Sequence, residues 1–186
     1  MEWFIFGCVV AWLAAVSWFD LRKGEIPHST WVILPLIFAG AYRAWQGDWQ
    51  LVALATLVAL VSERQRIAQW IHLEETGQVV TWLPLILLAL FLSAQQMPIP
   101  ALSILGFWVA WELDWWGGAD AVSAITLTLI WSDNAFFIAF FGCHAIVALG
   151  LLAFTCKAER KFKMHRLPGL PIMLLAACFT RVIQLS

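Results

Sequence analysis

An all-α, polytopic transmembrane helix bundle of about eight hydrophobic segments (six to eight) is the fold this sequence predicts. Three observations predict it. The first is composition: 62% of the 186 residues are hydrophobic, 12% are charged and the mean hydropathy is +0.83, whereas a soluble domain is about 45–50% apolar and about 25% charged. The second is a series of apolar runs at 3–19, 30–46, 49–62, 78–95, 98–112, 119–132, 135–156 and 167–185. The third is the alternation of charge between them. Arg22 and Lys23 follow the first run, Arg64 and Arg66 the third, and Lys157, Arg160, Lys161, Lys163 and Arg166 the seventh. The connections after runs two, four and six carry only Asp48, no charge, and Asp133. If every run crosses once, nine of the eleven Lys and Arg residues share one side, with Arg43 and Arg181 as exceptions. The positive-inside rule makes that side the cytoplasm and turns both termini outward.

Taken in order, run one starts almost at Met1 and lacks a basic leader region and a small-residue cleavage site before Asp20. It is therefore expected to be a retained span rather than a removed signal peptide. Ile26-Pro27 opens run two, since proline's missing N–H is not needed in a first helical turn. Runs three, five and six fall short of the roughly 20 residues of a full crossing, so they borrow flanking residues or sit tilted within protein contacts. The thirteen tryptophans suit membrane–water boundaries. A net charge of −1, with no basic domain and no Gly-rich phosphate loop, gives no footing for nucleic acid. Cys8, Cys143, Cys156 and Cys178 form no CxxC pair, so neither a zinc cluster nor a disulfide framework is expected. His144 reads as a hydrogen-bonded interior histidine, and His28, His72 and His165 are too scattered for a metal site. The stretch CKAERKFKMHR reads as a basic loop able to rest on anionic lipid; Glu112 and Asp114 read as loop carboxylates that tune the field near Asp120 or attract a basic segment.

Two carboxylates stand out. Asp20 closes run one in WFDLRKGEIPHSTW, and Asp120 follows two glycines in WELDWWGGAD at the mouth of run six. The charge alternation puts both at the cytoplasmic face. Ionisable groups at such depth face the bundle interior and mark functional paths. Two carboxylates brought within a few ångströms share a proton, so one can accept a proton from water while the other donates to a carbonyl. Taken singly, each has a structural alternative: Asp120 as the N-cap of AVSAITLTLIW, and Asp20 as an interfacial anchor beside Arg22. The positions are one hundred residues apart, and the sequence does not show that they meet.

Asp20 followed six and seven positions on by Ile26-Pro27 resembles the first aspartate motif of the type IV prepilin peptidases. Gly117-Gly118-Ala119-Asp120 is similar to their second, the signature of the GxGD membrane aspartyl proteases. The resemblance covers 1–46 and 98–135; 136–186 is supported by hydrophobicity alone. It implies a single integral membrane peptidase domain over 1–186, with an extra helical pair within 49–95 accounting for the long spacing between motifs. It also implies that Asp20 and Asp120 are catalytic, that Ile26, Pro27, His28, Gly117 and Gly118 shape the site, and that neither metal nor organic cofactor is used. The two glycines would permit a tight turn and leave room for substrate. The implied partners are the lipid bilayer and a prepilin-like or pseudopilin-like protein with a short basic leader; the implied location is a bacterial cytoplasmic or archaeal plasma membrane, with the site facing the cytoplasm. His28 stands where the family has Asn, and Val122 where it often has Lys. The cysteine-rich domain of methylating family members is not in this sequence, so peptidase activity without methyl transfer is expected. Two alternatives stay open: a channel, transporter or pilus-assembly subunit using the aspartates for ions or partners, and a degenerate peptidase that binds pilin-like helices without cutting them.

Overall fold

A computed structural model describes residues 2–23, 29–62, 78–113, 116–158 and 169–185. Among them the chain is helical throughout, with eight α-helices and no strand. They are α1 (Glu2–Lys23), α2 (Leu34–Trp45), α3 (Trp49–Ser62), α4 (Gln78–Gln96), α5 (Pro98–Glu112), α6 (Gly118–Ile130), α7 (Asn134–Ala158) and α8 (Gly169–Leu185). Each expected apolar run holds one helix, with ends shifted by a few residues. The region 49–95 holds α3 and α4. A π-helical turn, Ser29–Ile33, leads directly into α2, and Ile33 is itself helical (φ −73°, ψ −42°). Pro35 falls in the first turn of α2. Ile26, Pro27 and His28, the expected start of that helix, lie outside the described residues, as do Asp114 and the charges between 63 and 77 and between 159 and 168.

The chain divides into two compact units, 1–31 with 133–186, and 32–132. In the first, α8 packs against both α1 and α7. The α1 face built by Val9, Leu13, Val16 and Ser17 is buried, as are Met173, Ala176, Ala177 and Thr180 on α8 and Phe136, Phe137 and Phe140 on α7. Trp31 is fixed to α1 from two directions: its carbonyl accepts the Trp12 indole N–H at 2.8 Å, and its ring lies 5.4 Å from that of Phe19. Asp133 starts α7 by accepting the Ala135 N–H on Oδ1 at 3.2 Å, which satisfies one of the free donors of a first turn.

In the second unit α3 packs against α2, α4, α5 and α6, and α6 packs against α2, α3 and α5. Residues 121–129 of α6 are buried on every side, so this helix is the core of the unit and has no solvent face. That explains its apolar all-round pattern. The α2–α3 connection is closed by Gly47, whose φ of +96° is open to glycine at little cost, and by backbone bonds from Gln46, Gly47 and Asp48 to the last turn of α2. Beneath this turn the buried Arg43 guanidinium pairs with Asp48 at 3.1 Å and donates to Gln46 Oε1. One residue, Met97, separates α4 from α5, and Pro98 begins α5 where no N–H is required.

Large apolar side chains are exposed on several helices. On α4 the outward positions are Leu83, Leu85, Leu87, Leu88, Phe91 and Leu92, while Ala89 and Ser93 point inward with Ile86. On α8, Leu175, Phe179, Val182 and Ile183 are exposed, whereas Ala176, Ala177 and Thr180 are buried. Small and hydroxylated residues thus share the buried helix contacts with large apolar ones such as Ile86, Leu170, Ile172 and Met173, while further large apolar residues face out. Four buried hydroxyls are settled locally: Ser93, Ser103, Thr126 and Thr128 each donate to the carbonyl four residues back, whereas those of Ser17, Ser123 and Thr180 have no hydrogen-bond partner. Among the described residues one segment, Trp3–Arg22, with a mean hydropathy of 1.9, is long and apolar enough to cross a membrane.

Candidate active site

The connection between α5 and α6 is organised by aromatic rings before Asp120 is reached. The Trp116 N–H reaches back to the Ala110 carbonyl at 3.2 Å, and its ring stacks on Phe107 with centroids 5.3 Å apart. The Trp108 indole N–H donates to Glu112 Oε1 at 3.2 Å, placing that carboxylate on the last turn of α5. Gly117 is then the N-cap residue of α6, and the Ala121 N–H closes the first intrahelical bond to the Gly117 carbonyl at 3.1 Å.

Asp120 is therefore not the N-cap. It is the third residue of the helix, inside the first turn, where a carboxylate is favoured by the partial positive charge of the helix start. Helix α6 begins before the apolar run because Gly117 and Gly118 each leave space that another side chain of the same unit occupies. A Cβ at Gly117 would meet Asp120 Oδ2 at 3.2 Å, so the carboxylate folds back over that residue. This is the reach of an acidic third residue in a capping box, without the capping hydroxyl that glycine cannot supply. A Cβ at Gly118 would meet the Trp111 indole at 3.2 Å from Nε1, 3.3 Å from Cε2 and 3.5 Å from Cζ2. Neither glycine is required by backbone conformation. Gly117 has φ −69° and ψ 148°, open to any residue, and Gly47 is the one described glycine with positive φ. Gly117 thus needs no left-handed backbone, and Asp120 and Trp111 lie against the positions that Cβ atoms at 117 and 118 would take.

Below this turn Val122 is buried and gives its carbonyl to the Thr126 hydroxyl at 2.8 Å. The position where the family often has Lys is here part of the core. Ser123, one turn beyond Asp120, is fully buried, and its hydroxyl has no hydrogen-bond partner, unlike those of Thr126 and Thr128. An unsatisfied buried hydroxyl is a cost. Ser123→Ala is accordingly expected to stabilise the protein by about 1 kcal/mol, seen as a higher unfolding midpoint in detergent, whereas Thr126→Ala is expected to lower it.

Asp20 lies near the C-terminal end of α1 in the first unit, half-buried. Arg22 turns its guanidinium onto the Trp18 ring, 4.2 Å from the centroid, and forms no ion pair with Asp20. This cation–π contact joins residues one turn apart on α1. Asp20 and Asp120 belong to different units. His144 sits on α7 with its ring 6.0 Å from that of Phe140. Cys8, Cys143 and Cys178 are free thiols. Among the described residues no group of three His, Cys, Asp or Glu side chains gathers as a metal site would. Sequence reasoning missed Trp111 and Ser123: Trp111 matters through its neighbour Gly118 and Ser123 through a buried hydroxyl without a partner, and neither belongs to a recognisable motif. No protein-family model matches this chain, and no curated protein or solved structure matches it.

Proposed function

We propose that this chain is a multi-pass membrane aspartyl endopeptidase of the prepilin peptidase type, cutting the short leader from prepilin-like proteins at the cytoplasmic face. The single observation that carries this proposal is the placement of Asp120. It stands in the partly exposed first turn of a helix whose following residues, 121–129, are buried, directly after the Gly-Gly-Ala of the motif, with its carboxylate folded over Gly117. A carboxylate so held has a fixed orientation, which acid–base chemistry at a peptide bond needs. The lipid setting is supported by the exposed apolar side chains of α4 (Leu83, Leu85, Leu87, Leu88, Phe91, Leu92) and α8 (Leu175, Phe179, Val182, Ile183), with Ala89, Ser93, Ala176, Ala177 and Thr180 among the residues at their buried contacts, small residues that let helices approach in lipid.

In this mechanism Asp20 and Asp120 converge and hold one proton between them. The ionised carboxylate takes a proton from water as its oxygen attacks the scissile carbonyl, while the protonated one donates to the carbonyl oxygen. Collapse of the tetrahedral intermediate breaks the C–N bond, and the departing amine takes up a proton from the dyad. The products are a leader with a new carboxylate and a mature protein with a new amino terminus. An ion pathway along α6 is less well supported, because the Thr126 and Thr128 hydroxyls are bonded to their own helix.

The test is incubation of purified protein in detergent or liposomes with a panel of prepilin-like substrates, followed by mass spectrometry of the products. A single cut at the leader junction is the expected result. Tight substrate binding without any cut would favour the degenerate peptidase, and ion flux in liposomes without cleavage would favour the transport alternative.

A further inference from the structure

We infer that Trp111 is a positioning residue for Asp120, acting through Gly118, and that the two positions form a sterically matched pair. Trp111 lies on the last turn of α5 and Gly118 on the first turn of α6. Three indole atoms stand 3.2–3.5 Å from the point where a Cβ at position 118 would sit. A methyl group there is tighter than ordinary van der Waals contact, and the neighbour is a rigid bicyclic ring rather than the end of a flexible chain. The same end of α5 carries two further ordered contacts, the Phe107–Trp116 stack and the Trp108–Glu112 hydrogen bond. The indole therefore acts as a wedge that sets how closely the start of α6 approaches α5. Asp120 is two residues beyond Gly118 on that same turn, with Oδ2 held over Gly117, so a shift of the wedge carries the carboxylate with it. Two adjacent glycines thus serve two side chains: one makes room for the carboxylate, the other for the ring that locates it.

This role rests on the peptidase reading above, and it makes a reciprocal prediction that a motif alone does not. Gly118→Ala displaces the turn, and because misplacement by about 1 Å can cost roughly 100-fold in rate, kcat falls by about 10- to 100-fold with KM little changed. Trp111→Leu on its own removes the wedge and lowers kcat as well. Combining the two restores kcat to within a few-fold of wild type, since leucine vacates the space that the alanine methyl needs. A merely structural contact would move the unfolding midpoint and KM without this recovery in kcat.

The experiment measures kcat and KM for wild type, Gly118→Ala, Trp111→Leu and the double variant. Alongside, the rate at which a hydrophobic carbodiimide modifies Asp120 is followed by mass spectrometry on the same four folded proteins. Recovery of both quantities in the double variant is the expected result. Additive losses, or an unchanged kcat in Trp111→Leu, overturn the inference. If Gly118→Ala does not fold, Trp111→Leu decides alone by its kcat and its Asp120 modification rate. If the wild type cuts no substrate, the peptidase proposal fails by itself, and the modification rates still decide whether Trp111 locates Asp120: a changed rate in Gly118→Ala, returned to wild type by Trp111→Leu, sustains the positioning, and equal rates in all four proteins refute it.

Discussion

Asp120→Asn is expected to abolish leader release while leaving the fold intact. Asparagine is isosteric and can still lie over Gly117, so the first turn of α6 keeps its shape. What it loses is the ability to take or hold a proton. General acid–base catalysis contributes about 10²–10⁴-fold, and a dyad that works as a unit loses nearly all of this when either member is replaced. Asp20→Asn is expected to have the same effect for the same reason, although Asp20 sits on a different helix in a different unit. The measurement is the initial rate of leader release in a matched set of wild type and both variants, with retained size-exclusion profiles as the control for folding. A variant that keeps more than a tenth of wild-type activity would remove its aspartate from the reaction.

The second large effect is on stability, at the α2–α3 turn. Arg43 is buried, paired with Asp48 at 3.1 Å and bonded to Gln46. Breaking a buried pair from one side leaves a charge without compensation, at a cost of about 3–5 kcal/mol. Asp48 is partly accessible, with 22% of its side chain exposed, so Asp48→Ala is expected at the lower end, about 3 kcal/mol. Arg43→Met removes the buried charge instead of stranding it, and is expected to cost much less or nothing. The asymmetry is the diagnostic feature. Unfolding midpoints in detergent for the two variants check it, and a loss in Arg43→Met equal to that in Asp48→Ala would contradict a buried ion pair.

That pair also explains a feature of the sequence. Arg43 stood out against the charge alternation of the connecting segments, as a cation on the side expected to lack them. In the structure it is neutralised inside its own unit, and a paired, buried cation is no guide to which side of a membrane a segment faces. The apolar runs were legible because hydrophobic length survives any detail of packing: the run expected at 49–62 is α3 without a shift, and 98–112 is α5. Helix starts were less legible. Asp120 read alone as a cap because the stretch AVSAITLTLIW begins directly after it at Ala121, yet α6 begins at Gly118, where Trp111 and Asp120 fit into the space of two absent side chains. That fit depends on where the end of α5 meets the start of α6, which no local pattern encodes. Ser123 was equally hidden. Its hydroxyl resembles those of Thr126 and Thr128 in sequence and differs from them only in lacking the bond to its own helix.

The central claim is that two acids on separate helices act on one peptide bond, and proximity tests it most directly. Cysteines are placed at positions 20 and 120 in a chain whose four native cysteines are replaced by alanine, in native membranes, and joined by oxidation or by a short bis-methanethiosulfonate reagent. A disulfide requires Cα atoms within about 7 Å, and the bifunctional reagent extends that reach modestly. Efficient intramolecular cross-linking of the 20–120 pair, with little for a control pair such as 20 and 102, is the predicted result. No cross-link between 20 and 120 with either chemistry, in membranes where each single cysteine reacts freely, would contradict it.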